Sequence, residues 1–67
     1  MPKPKPLFAR IATLRRERWW TQLELARESG LSLGAVRKLE RGERKPSGTT
    51  AKKLARVFER ETDDFLE

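Results

Sequence analysis

Sixty-seven residues, sixteen of them Lys or Arg and ten Asp or Glu, give a formal charge of +6 on a chain that has room for one small core. With no cysteine and no histidine, a disulfide framework, a zinc finger and imidazole catalysis are excluded, so no metal, cofactor, small-molecule substrate or catalytic residue is expected. The low aromatic and β-branched content favours helices held by packing alone, and the basic balance points to a polyanionic partner.

Residues 1–6, MPKPKP, carry three prolines and two lysines and read as an extended basic arm ahead of one domain over residues 7–67. No apolar run approaches bilayer length, and only a few apolar residues separate the arm from Arg10. Neither a membrane span nor a secretory signal is therefore expected, and a cytoplasmic or nucleoid location follows. Leu7, Ile11 and Leu14, at i, i+4 and i+7, predict an amphipathic helix over residues 7–18. Trp19 and Trp20 come next, and two adjacent indoles cannot both face inward from a short connection. Register with Leu14 and Leu25 sends Trp20 inward. Trp19 is left outside, to lie over the aliphatic part of an arginine or to meet a partner.

Residues 22–41, QLELARESGLSLGAVRKLER, read as two short helices joined by one tight turn. Thr21 and Glu24 form a capping box at the start of the first. Leu25 and Ala26 face inward, Gly30 suits a left-handed helix stop, and Ser32 caps the second helix. There Val36 and Leu39 share one face with Ala35 beside them, while Leu33, Gly34, Arg37, Lys38 and Arg41 fall on the other, small at its start and basic along its length. Helices that cross this closely need a small residue at the contact, a place that Ala26 takes against Val36.

The loop RGERKP over residues 41–46 holds a second stop at Gly42, a block to further helix at Pro46, and the densest run of cations outside the helices. Ser47 caps a further helix whose Ala51, Leu54, Ala55 and Phe58 form an apolar stripe, although Gly48 and two threonines weaken its first turn. Thr62 caps a last turn, with Asp63 and Asp64 at its positive start and Phe65 and Leu66 closing the core. Charge is segregated: residues 1–20 sum to +5 and residues 61–67 to −4, so the acidic end should face away from a polyanion.

The segments TQLELARESGLS and VRKLERGERKPS resemble, in their Thr-Gln, Leu-Ala, Gly and Ser spacing and their Leu-Glu, Gly and Pro-Ser spacing, the phage Cro and repressor class of helix-turn-helix regulators, also called XRE-like. The resemblance covers about residues 7–66. It implies an all-α, compact, five-helix lambda-repressor-like fold that binds the DNA major groove through a recognition helix over about residues 33–41, with Leu33, Gly34, Arg37 and Lys38 at the bases and Gln22 at a phosphate. It also implies a structural ion pair between Arg15 and Glu40. Family members often carry a polar reader where Leu33 and Gly34 stand, so thymine-methyl contact and close backbone approach would replace some hydrogen bonds here. Trp19 occupies a position where the family often has glycine, which bears on the turn between the first two helices.

The leading expectation is sequence-selective binding of double-stranded DNA for transcriptional control by occupancy, in a natural regulator or an engineered binder on this fold. Arg37 and Lys38 would read base edges, guanine foremost, while Gln22, Ser32, Arg41, Arg44 and Lys45 hold phosphates. No long apolar C-terminal surface advertises a dimer, so a monomer or weak homodimer is expected. The competing expectation is an antitoxin-like protein-interaction module, with Trp19 and Phe65 as contact residues, though no separate toxin-binding tail accompanies it.

Overall fold

A computed structural model describes residues 10–66. The chain forms α1 (Ile11–Glu17), α2 (Gln22–Ser29), α3 (Leu33–Glu40) and α4 (Gly48–Phe58), followed by a single 3-10 turn at Thr62–Phe65. No strand occurs among the described residues. Leu7 and residues 1–6 lie outside them.

Three of the helix starts carry the side chains that local chemistry requires. Thr21 Oγ1 accepts from the Glu24 N–H at 3.1 Å while Glu24 Oε1 accepts from the Thr21 N–H at 3.0 Å, a complete capping box. Ser32 Oγ accepts from the Ala35 N–H at 3.1 Å, and Ser47 Oγ from the Thr50 N–H at 3.3 Å.

All four helices stop in one way, with a residue in the left-handed region and a backbone N–H reaching back five residues. At α2 the Leu31 N–H meets the Ala26 carbonyl at 3.1 Å around Gly30 (φ 78°), and at α3 the Glu43 N–H meets Lys38 at 3.0 Å around Gly42 (φ 75°). At α1 the same bond runs from Trp20 to Arg15 at 3.3 Å around Trp19 (φ 61°). At α4 it runs from Arg60 to Ala55 at 2.8 Å around Glu59 (φ 55°). Glycine adopts this conformation without steric penalty, whereas a side chain with Cβ costs roughly 1–2 kcal/mol there.

Among the described residues the five expected helices are four α-helices and a 3-10 turn. After the left-handed Glu59 and the extended Glu61, only four residues remain before the chain extends again at Leu66. They close i→i−3 bonds, Asp64 N–H to Glu61 and Leu66 N–H to Asp63, rather than α-helical ones. The cap of this turn also moves by one residue. Glu61 occupies it, because the Asp64 carboxylate three residues on accepts the Glu61 N–H at 3.1 Å.

Each element sends apolar side chains into one core: Ile11 and Leu14 from α1, Leu25 and Ala26 from α2, Val36 and Leu39 from α3, Ala51, Leu54, Ala55 and Phe58 from α4, and Phe65 from the turn. Burying a side chain such as Leu54 or Val36 contributes about 1.5–3 kcal/mol. Trp20 is half-buried against this cluster, its ring 6.1 Å from that of Phe58, which in turn lies 6.0 Å from Phe65. The arginine that meets an aromatic face is Arg18, whose guanidinium sits 5.5 Å from the Trp20 ring centre and 5.4 Å from that of Phe58. Trp19, expected to lie over an arginine or to meet a partner, stands 91% exposed.

Because exposed Glu59 holds a conformation suited to glycine, Glu59→Gly should stabilise the domain by about 1 kcal/mol, less the extra freedom that glycine gives the unfolded chain. Urea denaturation checks this, and a midpoint at or below that of the unmodified chain would count against strain at the α4 stop.

Candidate nucleic-acid interface

α3 has two unlike sides. Val36 and Leu39 are buried, whereas Gly34, Arg37 and Lys38 are exposed, so the core-facing pair fixes which residues face out. Leu33 at its start is half-buried against the core and offers only part of its side chain to a ligand. A Cβ built on Gly34 would meet nothing within 4 Å, so the protein's own packing does not require glycine there. Neither Arg37 nor Lys38 is in an ion pair among the described residues.

The far end of α3 is tied down. Arg15 from α1 donates through Nε to Glu40 Oε2 at 2.6 Å and through Nη2 to Oε1 at 3.1 Å, a two-pronged match of planar guanidinium to carboxylate. Its Nη1 donates to the Trp20 carbonyl at 2.7 Å, which holds the connection between α1 and α2. Gln22, the first residue of α2, adds its Nε2 to Glu40 Oε1 at 3.1 Å. The Arg15 and Glu40 side chains are only 11% and 7% exposed. Donating hydrogen bonds to the Glu40 carboxylate raises the Arg15 pKa above its ordinary value, against the opposing effect of burial, with the carboxylate's charge adding to the rise.

The residues assigned to phosphates differ in how they are engaged. Gln22 spends one amide N–H on Glu40 and keeps a second. Ser32 accepts the Ala35 N–H, and its hydroxyl hydrogen can still be donated. Arg41 pairs with Glu43 at 2.6 Å, with side chains 64% and 55% exposed. Arg44 and Lys45 are exposed in the loop after Gly42, and the buried Pro46 closes that loop onto the domain.

A helix-turn-helix family model matches residues 11–65, which takes in every element described above. The chain belongs to this XRE-like helix-turn-helix family of DNA-binding domains. Searches of curated proteins and of solved structures gave no match. Within the helix-turn-helix frame α2 and α3 are the motif pair, Gly30 makes its turn, and α1 and α4 pack behind it. Among the described residues no helix is long and apolar enough to cross a membrane.

Several features of the motif lie beyond a reading of periodicity. Ser29 is fully buried, its hydroxyl donating to the Leu25 carbonyl at 2.7 Å and accepting from the Leu31 N–H at 3.3 Å, so it fastens the end of α2 to the turn. The available signal was position, since Ser29 follows Leu25 by four residues on the inward face. Arg15 to the Trp20 carbonyl and Gln22 to Glu40 left no trace in the pattern. Phe65, proposed as a contact for a protein partner, has no exposed surface; stacking on Phe58 consumes it, and that role is withdrawn.

The burial of the Arg15 and Glu40 pair sets a measurable scale. Glu40→Ala should cost about 3 kcal/mol or more, because it strands a guanidinium with little access to water. Glu43→Ala, which breaks an exposed pair, should cost no more than about 1 kcal/mol. Chemical denaturation of the single and double mutants at positions 15 and 40 gives the coupling energy directly. A coupling near zero would mean that the contact adds nothing to stability.

Proposed function

We propose that this domain binds double-stranded DNA sequence-selectively, with the start of α3 in the major groove, and that it controls transcription by occupying its site. The observation that carries this reading is the outward side of α3, where Gly34, Arg37 and Lys38 are exposed on a helix whose opposite side is locked into the core. Arg37 and Lys38 reach base edges, where guanine O6 and N7 are the natural acceptors. Leu33 offers a partly exposed apolar contact for a thymine methyl. Gly34 favours the same reading, since glycine in a helix is about 1 kcal/mol worse than alanine and no neighbour in the protein demands it. Close approach of the backbone to a base pair supplies a reason for it.

Gln22, Ser32, Arg41, Arg44 and Lys45 hold phosphates on either side of the groove and set the register of α3 without reading sequence. For Arg41 this means exchanging its exposed partner Glu43 for a phosphate, a substitution of one weak surface pair for a stronger charge-assisted contact. A randomised-duplex selection tests the proposal as a whole. One enriched half-site supports a monomer on DNA, paired half-sites a dimer, and no enrichment overturns selective binding.

Affinity should fall steeply with salt, because neutralising about five phosphates gives a log-log slope near −4 to −5. A flat salt response in a fluorescence-anisotropy titration would remove the phosphate assignment.

Arg37→Ala or Lys38→Ala should cost about 1–3 kcal/mol of binding and relax preference at one or two base pairs, whereas Arg44→Ala or Lys45→Ala should weaken all duplexes alike. All four variants should stay folded, since each side chain is exposed. Binding to a panel of single-base variants separates the two classes. If the loop variants altered preference and the helix variants did not, the reading face would be assigned wrongly.

A further inference from the structure

The backbone of Trp19 makes the stop of α1, but its side chain has no role in the fold or in the interface described so far. It is 91% exposed, and its backbone sits at φ 61°, a conformation that bulky residues avoid and glycine adopts freely. The adjacent Trp20 does the packing, against Phe58 and beneath Arg18. The domain thus carries a strained residue with its large apolar ring in water, where glycine would serve the helix stop better. Glu59 shares the backbone conformation, so what sets Trp19 apart is the large apolar ring left in water.

The charge of the segment that carries the ring indicates the kind of partner. Arg16 and Arg18 precede it at the end of α1 with the exposed Glu17 between them; both arginines are exposed, and neither is in an ion pair among the described residues. Residues 1–20, the stretch that carries the ring, sum to +5, and an apolar ring on so basic a segment suits a polyanion that also presents apolar faces better than it suits an apolar protein patch. The turn that carries Trp19 is held by the bond from Arg15 to the Trp20 carbonyl, and Arg15 grips the same carboxylate that receives Gln22. Trp19 is therefore mounted on the segment that leads directly into the first residue of α2.

We propose that Trp19 is a DNA-backbone contact: its indole packs on deoxyribose beside the major groove read by α3, and its Nε1–H donates to a phosphate oxygen. This rests on the reading of the domain as a duplex binder. The contact touches no base edge, so it raises affinity for all sequences without choosing among them.

The test is Trp19→Gly, compared with the unmodified chain in thermal melting and in titration of two duplexes, one enriched by selection and one scrambled. The variant should melt higher, by about 4 °C or more, as strain at the α1 stop is relieved. It should nonetheless bind both duplexes roughly tenfold more weakly, the size of one good aromatic contact. Trp19→Phe, which keeps a ring but loses the N–H donor, should fall between the two in affinity. If the unmodified chain binds neither duplex, the duplex-binding reading falls and this contact with it. If it binds and Trp19→Gly binds as tightly, only this contact is overturned. A lower melting midpoint would overturn the strain argument, and a loss of self-association at unchanged DNA affinity would show that a second copy of the chain covers the ring.

Discussion

Arg15 and Glu40, twenty-five residues apart in the chain, make the contact on which the geometry of the motif depends. α3 has eight residues, about 12 Å of helix, too short to persist or to hold a direction alone. Val36 and Leu39 fix which side faces the core, but apolar contact is non-directional and leaves the helix free to slide or rotate slightly. A planar guanidinium against a planar carboxylate is directional in all three dimensions. The same guanidinium holds the Trp20 carbonyl and the same carboxylate receives Gln22, so one nearly dry cluster sets α1, α2 and α3 relative to one another.

The rest of the fold is a succession of short helices, and what makes them short is local. Thr21 with Glu24, Ser32 and Ser47 start them, and Gly30 and Gly42 stop two of them. These residues announce themselves in the sequence because a hydroxyl cap or a left-handed glycine needs only its neighbours to act. The apolar stripes of α1 to α4 are legible for the same reason. Trp19 and Glu59 perform the glycine's task without its chemical signature, so their backbone conformation becomes visible only in three dimensions, although the family's habit of placing glycine at the first of these positions drew notice to it. The last turn is legible as a turn from Thr62 onward, whereas the resemblance implies a fifth helix there; the length left between Glu61 and Leu66 allows only a 3-10 turn.

The candidate interface divides along the same line. Which residues of α3 face outward follows from a period of 3.6, and Arg37, Lys38 and Gly34 are exposed as that period requires. Partners that meet across the chain do not follow from any period. The contact of Gln22 with Glu40 is the instructive case, because a residue expected to face a phosphate also helps hold the carboxylate that anchors α3. Its two amide hydrogens allow both tasks, so under the proposed function the contact of α2 with a phosphate and the seat of α3 would share one side chain.

Glu40 is also the last residue of α3, where the aligned peptide dipoles leave partial negative charge. A carboxylate there adds like to like, and on its own would make that end of the helix repel an approaching anion. Arg15, set against it inside the domain, neutralises the carboxylate. Arg37 and Lys38, in the last turn of the same helix, are exposed and in no ion pair among the described residues, so the charge that α3 shows to solvent is cationic. The anion at the end of α3 is thereby answered inside the protein while the charged side chains that the helix turns to solvent are cations, so this side of the domain attracts polyanions whatever their sequence.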